Sequence, residues 1–129
     1  MKSEITFDHV LIVVNNLEHS IEFYTHLGFQ HIETIQRPND SVGVMQLDNI
    51  KIELMCQTEG KETHRTPRIV TDLGFRHIGL RVKDVEAVYE KLKNVIEFDS
   101  MPKPIVGRKN RMTVFFKDPD GVELHFVQQ

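Results

Sequence analysis

Only one cysteine, Cys56, stands among the 129 residues, so an intrachain disulfide and a thiolate zinc cluster are both excluded. Long apolar runs are missing as well. The longest, Val10–Val14, falls far short of the ~20 residues that cross a bilayer, and Met1-Lys2-Ser3-Glu4 has no signal-peptide core. No membrane association is therefore expected, and the cytoplasm is the default location. Nor is there a basic excess: 16 Lys and Arg face 19 Asp and Glu, a net charge of −3, which argues against nucleic acid as a partner. What is present is 40% hydrophobic and 27% charged, the composition of a soluble globular chain of single-domain size. A metal, if one is bound, must be held by histidines and carboxylates.

The chain repeats itself. Phe7-Asp8-His9-Val10-Leu11-Ile12-Val13-Val14 and Phe75-Arg76-His77-Ile78-Gly79-Leu80-Arg81-Val82 share Phe, His and the closing Val at a constant separation of 68 residues, His9 against His77. Glu18 and Glu22 fall on Glu86 and Glu90 at the same separation. Each segment reads as strand then helix. The first helix begins after Asn16, carries Leu17, Ile21, Tyr24 and Leu27 at helical spacing and stops at Gly28; the second is capped by Asp84, with Val85, Val88, Tyr89 and Leu92 as its stripe. Strand-like runs follow at 32–36, 42–47 and Ile50–Gln57, and again at 95–98, 112–117 and 122–127, with Asp118-Pro119-Asp120-Gly121 as a hairpin turn. The expectation is an α+β fold of two tandem βαβββ modules forming a curved mixed sheet. Their bounds are about 5–57 and 73–128, and a polar linker at 58–72 joins them within one domain. The stretch 99–110, with Pro102, Pro104 and Gly107, reads as an irregular loop.

A second coincidence sits on the last strand of each module, where Ile52-Glu53-Leu54 matches Val122-Glu123-Leu124. Both modules thus read strand-His, then strand-Glu. Strand alternation puts His9 with Phe7, Leu11 and Val13, opposite Val10, Ile12 and Val14, which suits packing under the helix and leaves His9 in a concave interior. Glu53 alternates with apolar Ile52, Leu54 and Cys56, and a carboxylate there needs a partner. Two readings stand. In one, His9 and His77 are core histidines and Glu53 and Glu123 edge-strand residues facing water; in the other, the four are ligands of one divalent cation, which explains their symmetric placement together.

As a set, Phe7-Asp8-His9-Val10, the segment from Asn16 to Phe29, Phe75 to Val82 and Phe116-Lys117-Asp118-Pro119-Asp120-Gly121-Val122-Glu123-Leu124 resemble the vicinal oxygen chelate superfamily over nearly the whole chain. That superfamily includes glyoxalase I, bleomycin-resistance proteins, extradiol dioxygenases, fosfomycin-resistance enzymes and methylmalonyl-coenzyme A epimerase. The order His9, Glu53, His77, Glu123 is similar to the metal-ligand pattern of glyoxalase I. The resemblance implies a divalent metal (nickel, zinc, cobalt, manganese or iron) and a lyase or isomerase acting on a small α-oxygenated substrate or hemithioacetal through a metal-bound enediolate. It makes Glu123 the first choice of base, with Glu53 opposite it. It also implies a homodimer, with the site built within one chain or across the interface. Alternatives are a drug-binding or resistance protein that captures rather than converts, and another metalloenzyme of the family such as an epimerase, thiol transferase or dioxygenase.

Where glutathione-using relatives often carry an anchoring Arg, this chain has Val13; the pseudo-twofold maps that position onto Arg81, either a pocket cation or a salt-bridged strand-end arginine. Gln57 supplies an amide four residues after Glu53. Lys103, Arg108, Lys109 and Arg111 form either a cationic pocket mouth or a solvated basic loop. His125, two residues after Glu123, shares its face and is either a substrate-binding or acid–base group beside the site or an ordinary strand histidine. Met45, Met55 and Phe115 are candidates to line the cavity or to be core, and Cys56 is expected to face away as small core filler.

Overall fold

The computed structural model describes residues 4–58, 63–64 and 68–129, and for Lys109 the backbone alone. The chain divides into two compact units, 1–65 and 66–129.

In the first unit β1 (Val10–Val14) leads into α1 (Leu17–His26), followed by β2 (Gln30–Gln36), β3 (Asp40–Leu47) and β4 (Ile50–Gln57). The helix starts because Asn16 accepts a hydrogen bond from the His19 N–H at 3.0 Å, and it ends where Gly28 takes φ 103°, a left-handed conformation that costs glycine little. The sheet order is β1-β4-β3-β2, with β1 parallel to β4 and the other pairs antiparallel. One face is covered by α1 and holds Ile12, Val14, Met45, Ile52 and Leu54, all buried. Gly43 lets the helix approach, since a Cβ there would stand 3.1 Å from Leu17 Cδ1 and 3.3 Å from Ile21 Cδ1. The other face carries His9, Leu11, Val13, Glu53 and Met55.

The second unit repeats the plan with β5 (Ile78–Val82), α2 (Val85–Leu92), β6 (Lys103–Ile105), β7 (Arg108–Lys117) and β8 (Glu123–Gln128) in the order β5-β8-β7-β6. Asp84 caps α2 by accepting from the Ala87 N–H at 3.1 Å. The Asp118 carboxylate closes the β7–β8 turn by accepting from the N–H groups of Asp120 and Val122, both at 2.9 Å, with Gly121 at φ 86°. Two four-stranded mixed sheets of βαβββ order are thus built, the α+β architecture expected.

Two expectations about elements need correction. Residues 95–98 form no strand: Phe98 makes an isolated bridge to Phe116, and its ring packs against Tyr89, Phe116 and Phe126 at centroid distances of 5.0, 5.5 and 6.3 Å. The edge strand is β6, inside the stretch read as irregular. It tolerates Pro104 because an edge strand leaves one row of N–H positions unpaired. Met45, a candidate for cavity or core, is fully buried on the helix-covered face and belongs to the core. Cys56 is half-buried at the end of β4, with Sγ 3.7 Å from the Asn15 and Gln57 carbonyl oxygens.

Candidate metal centre

His9 lies immediately before β1, and Glu53 is mid-strand on β4; parity places both on the face away from α1. His9 Nδ1 stands 3.6 Å from Glu53 Oε2. The Nδ1–H donates to Asp8 Oδ2 at 2.7 Å, and among the described residues Asp8, His9 and Glu53 bring one nitrogen and two carboxylate oxygens within 4.8 Å of one another. That hydrogen bond raises the His9 pKa above its ordinary value and lowers that of Asp8. The expected concave interior is open on this face of the chain: the His9 side chain is 37% exposed, with Leu11 and Val13 at 41% and 47%.

In the second unit His77 precedes β5, and its Nδ1–H donates to Glu123 Oε1 at 3.0 Å. Arg76 brings its guanidinium to 3.7 Å from Glu123 Oε2. The pairs therefore differ in charge, since an acid precedes His9 and a base precedes His77. They also differ in register: Leu11 pairs with Glu53, whereas Gly79 pairs with His125, a two-residue slip that keeps each side chain on its face. A cavity of about 410 Å³ is lined by Arg76, His77, Asp99, Ser100, Lys103, Phe115 and Glu123. The Lys103 ammonium lies 5.7 Å from the Phe115 ring centroid.

The other candidates are spread along the same strands. Phe115 stacks on His125 at 4.5 Å, and the His125 ring lies 4.4 Å from that of His77. Burial first, and then the neighbouring His77, push the His125 pKa down. Gln57 is half-buried at the end of β4, and Arg81 is exposed on β5. Arg108 and Arg111 are exposed and do not line the cavity, and the Lys109 side chain lies outside the described residues. Met55 receives a hydrogen bond from Arg37 Nη2 at 3.3 Å. Asp8, Arg76 and Asp99 were missed in the sequence; the position just before each paired histidine was the available signal for the first two.

The donor set suits a divalent cation. Two atoms each ~2.1 Å from an ion and at right angles about it lie ~3 Å apart, close to the nitrogen–oxygen separation within each pair. Those separations are measured from Nδ1, which would give up its hydrogen on binding the ion.

This architecture, with one His–Glu pair in each unit, defines a duplicated βαβββ protein. Residues 6–126 match the family model described as Glyoxalase/Bleomycin resistance protein/Dioxygenase superfamily, and the chain belongs to that superfamily. The crystal structure of the glyoxalase family protein from Enterococcus faecalis is similar, with 26% identity and a TM-score of 0.81 over 95% of this chain and 97% of that one. An E144Q mutant of glyoxalase I from Zea mays is similar in fold, with 22% identity and a TM-score of 0.80; the match covers 95% of this chain and 44% of the maize chain. The trypanothione-dependent glyoxalase I of Leishmania major shares the fold at 21% identity, with a TM-score of 0.75 over 97% of this chain and 87% of the other. Among the described residues no helix is long and apolar enough to cross a membrane.

Proposed function

We propose that the protein is a divalent-metal-dependent lyase or isomerase of the glyoxalase I type, acting on a small α-oxygenated substrate or hemithioacetal. The observation that carries this reading is the repeated pairing of an imidazole nitrogen with a carboxylate oxygen at 3.6 Å in one unit and 3.0 Å in the other. His9, Glu53, His77 and Glu123 hold one ion between them, either within one chain or across the interface of a homodimer. When bound, the metal supplies Lewis acidity to two adjacent substrate oxygens. Glu123 takes the proton from the carbon beside the carbonyl and returns it to the neighbouring carbon, and Glu53 faces the substrate from the opposite side. Gln57 and Arg81 offer an amide and a cation to the rest of the substrate.

Glu123→Gln keeps the shape of the side chain and removes the base. Turnover of a methylglyoxal–thiol hemithioacetal should fall at least ~100-fold, the lower bound for losing a general base. Unchanged turnover would sink the assigned role of Glu123. Screening several thiols with the metal restored separates catalysis from capture, since a binding protein would take up such adducts without converting them.

A further inference from the structure

The Thr113 hydroxyl has one proton and two neighbours. It is buried, 2.8 Å from the Phe126 carbonyl oxygen and 2.9 Å from His125 Nδ1. A carbonyl oxygen can only accept, so the hydroxyl proton goes to Phe126, and the contact with His125 requires Nδ1 to carry the hydrogen and donate to Thr113. The neutral His125 ring is thereby fixed with its lone pair on Nε2. No hydrogen bond to that atom occurs among the described residues. The half-buried ring lies against Phe115 and His77, two of the residues that line the cavity.

The surroundings hold this lone pair in place. Phe115 stacks on the ring at 4.5 Å with an interplanar angle of 19°, and His77 abuts its other side. Across the strand pair stands Gly79, where a Cβ would come 3.0 Å from Nε2. The fold itself does not require this arrangement. At the sequence-equivalent positions of the first unit, Leu11 and Met55 replace Gly79 and His125, and the same sheet is built.

We infer that His125 is a specificity-determining residue: Thr113 fixes its tautomer, and Nε2 accepts a hydrogen bond from a hydroxyl or N–H group of a small molecule on this face. The assignment rests on the proposed function only for the kind of molecule bound. A fixed acceptor favours a ligand that brings a donor and disfavours one that presents a bare carbonyl or carboxylate oxygen there.

The test is nitrogen NMR on the ¹⁵N-histidine-labelled protein, metal-free and zinc-loaded, at alkaline pH. In the metal-free protein the His125 pattern should be that of the Nδ1–H form, and Thr113→Val should shift it toward Nε2–H. Adding hydroxyacetone should move the Nε2 resonance saturably, whereas acetone, which lacks the hydroxyl, should not. Gly79→Ala sets a methyl against the lone pair and should weaken hydroxyacetone binding about tenfold at unchanged metal content, the scale of one lost hydrogen bond. An Nε2–H ring in the wild type, a resonance unmoved by hydroxyacetone, or coordination of zinc by Nε2 would each overturn the inference. Failure to load zinc would instead count against the proposed function, while the metal-free tautomer and hydroxyacetone response still decide the role of His125.

Discussion

His9 and His125 lie on corresponding faces of the two units in opposite electrostatic settings. Asp8 beside His9 stabilises the charged ring and raises its pKa, while burial and the neighbouring His77 disfavour the charged form of His125 and lower its own. In protein stripped of metal, an NMR titration should therefore place the two midpoints on opposite sides of the ordinary 6.5, with His9 falling toward it in Asp8→Asn. The linkage signs differ accordingly. The His9 contribution to stability is complete below about 6.5 and is lost as pH rises through its folded value, whereas that of His125 is present above about 6.5 and is lost as pH falls through its folded value. Reversed midpoints would contradict the contacts described. At this scale the His–Glu pairs were legible because repetition marks them. Asp8 and Arg76 were marked only by their places beside those histidines; what they touch depends on side-chain direction, which spacing does not encode.

At the scale of elements, both helices were legible because their start signals are local: Asn16 and Asp84 cap where the sequence placed them. Strands β3 and β4 were legible as runs of strand-forming residues, and the β7–β8 turn from Asp118-Pro119-Asp120-Gly121. Strand β6 was obscured by Pro102 and Pro104, which read as loop residues until the edge position that accommodates Pro104 is known. Phe98 read as strand from its chemistry, but its ring is engaged in an aromatic cluster with residues distant in sequence. Helix α1 also carries a feature that the sequence could not reveal, since Ser20 Oγ is buried without a partner among the described residues. Ser20→Ala removes an unsatisfied hydroxyl and places a better helix former there, so it should raise unfolding stability by ~1 kcal/mol. A lower Tm in thermal unfolding of that variant would show that the hydroxyl has a role in the fold.

For the molecule as a whole, duplication made the fold readable. One unit with one helix leaves a sheet face uncovered, and here Leu11 and Val13 are both more than two-fifths exposed. If the proposed metal site crosses the interface of a homodimer, the two kinds of His–Glu pair come from different chains. Dilution below the dimer dissociation constant should then release metal and abolish turnover over the same concentration range. Metal retained by monomers in sedimentation analysis would rule out a site completed by the partner.

The most direct test of a shared metal centre is elemental analysis of the metal-loaded protein beside His9→Ala and His77→Ala. One divalent ion per chain, lost in each variant alone, is the result expected if His9, Glu53, His77 and Glu123 act as one ligand set. Two ions per chain, each lost in only one variant, would mean that the His–Glu pairs are separate sites, and no ion in the loaded wild type would mean that they hold none.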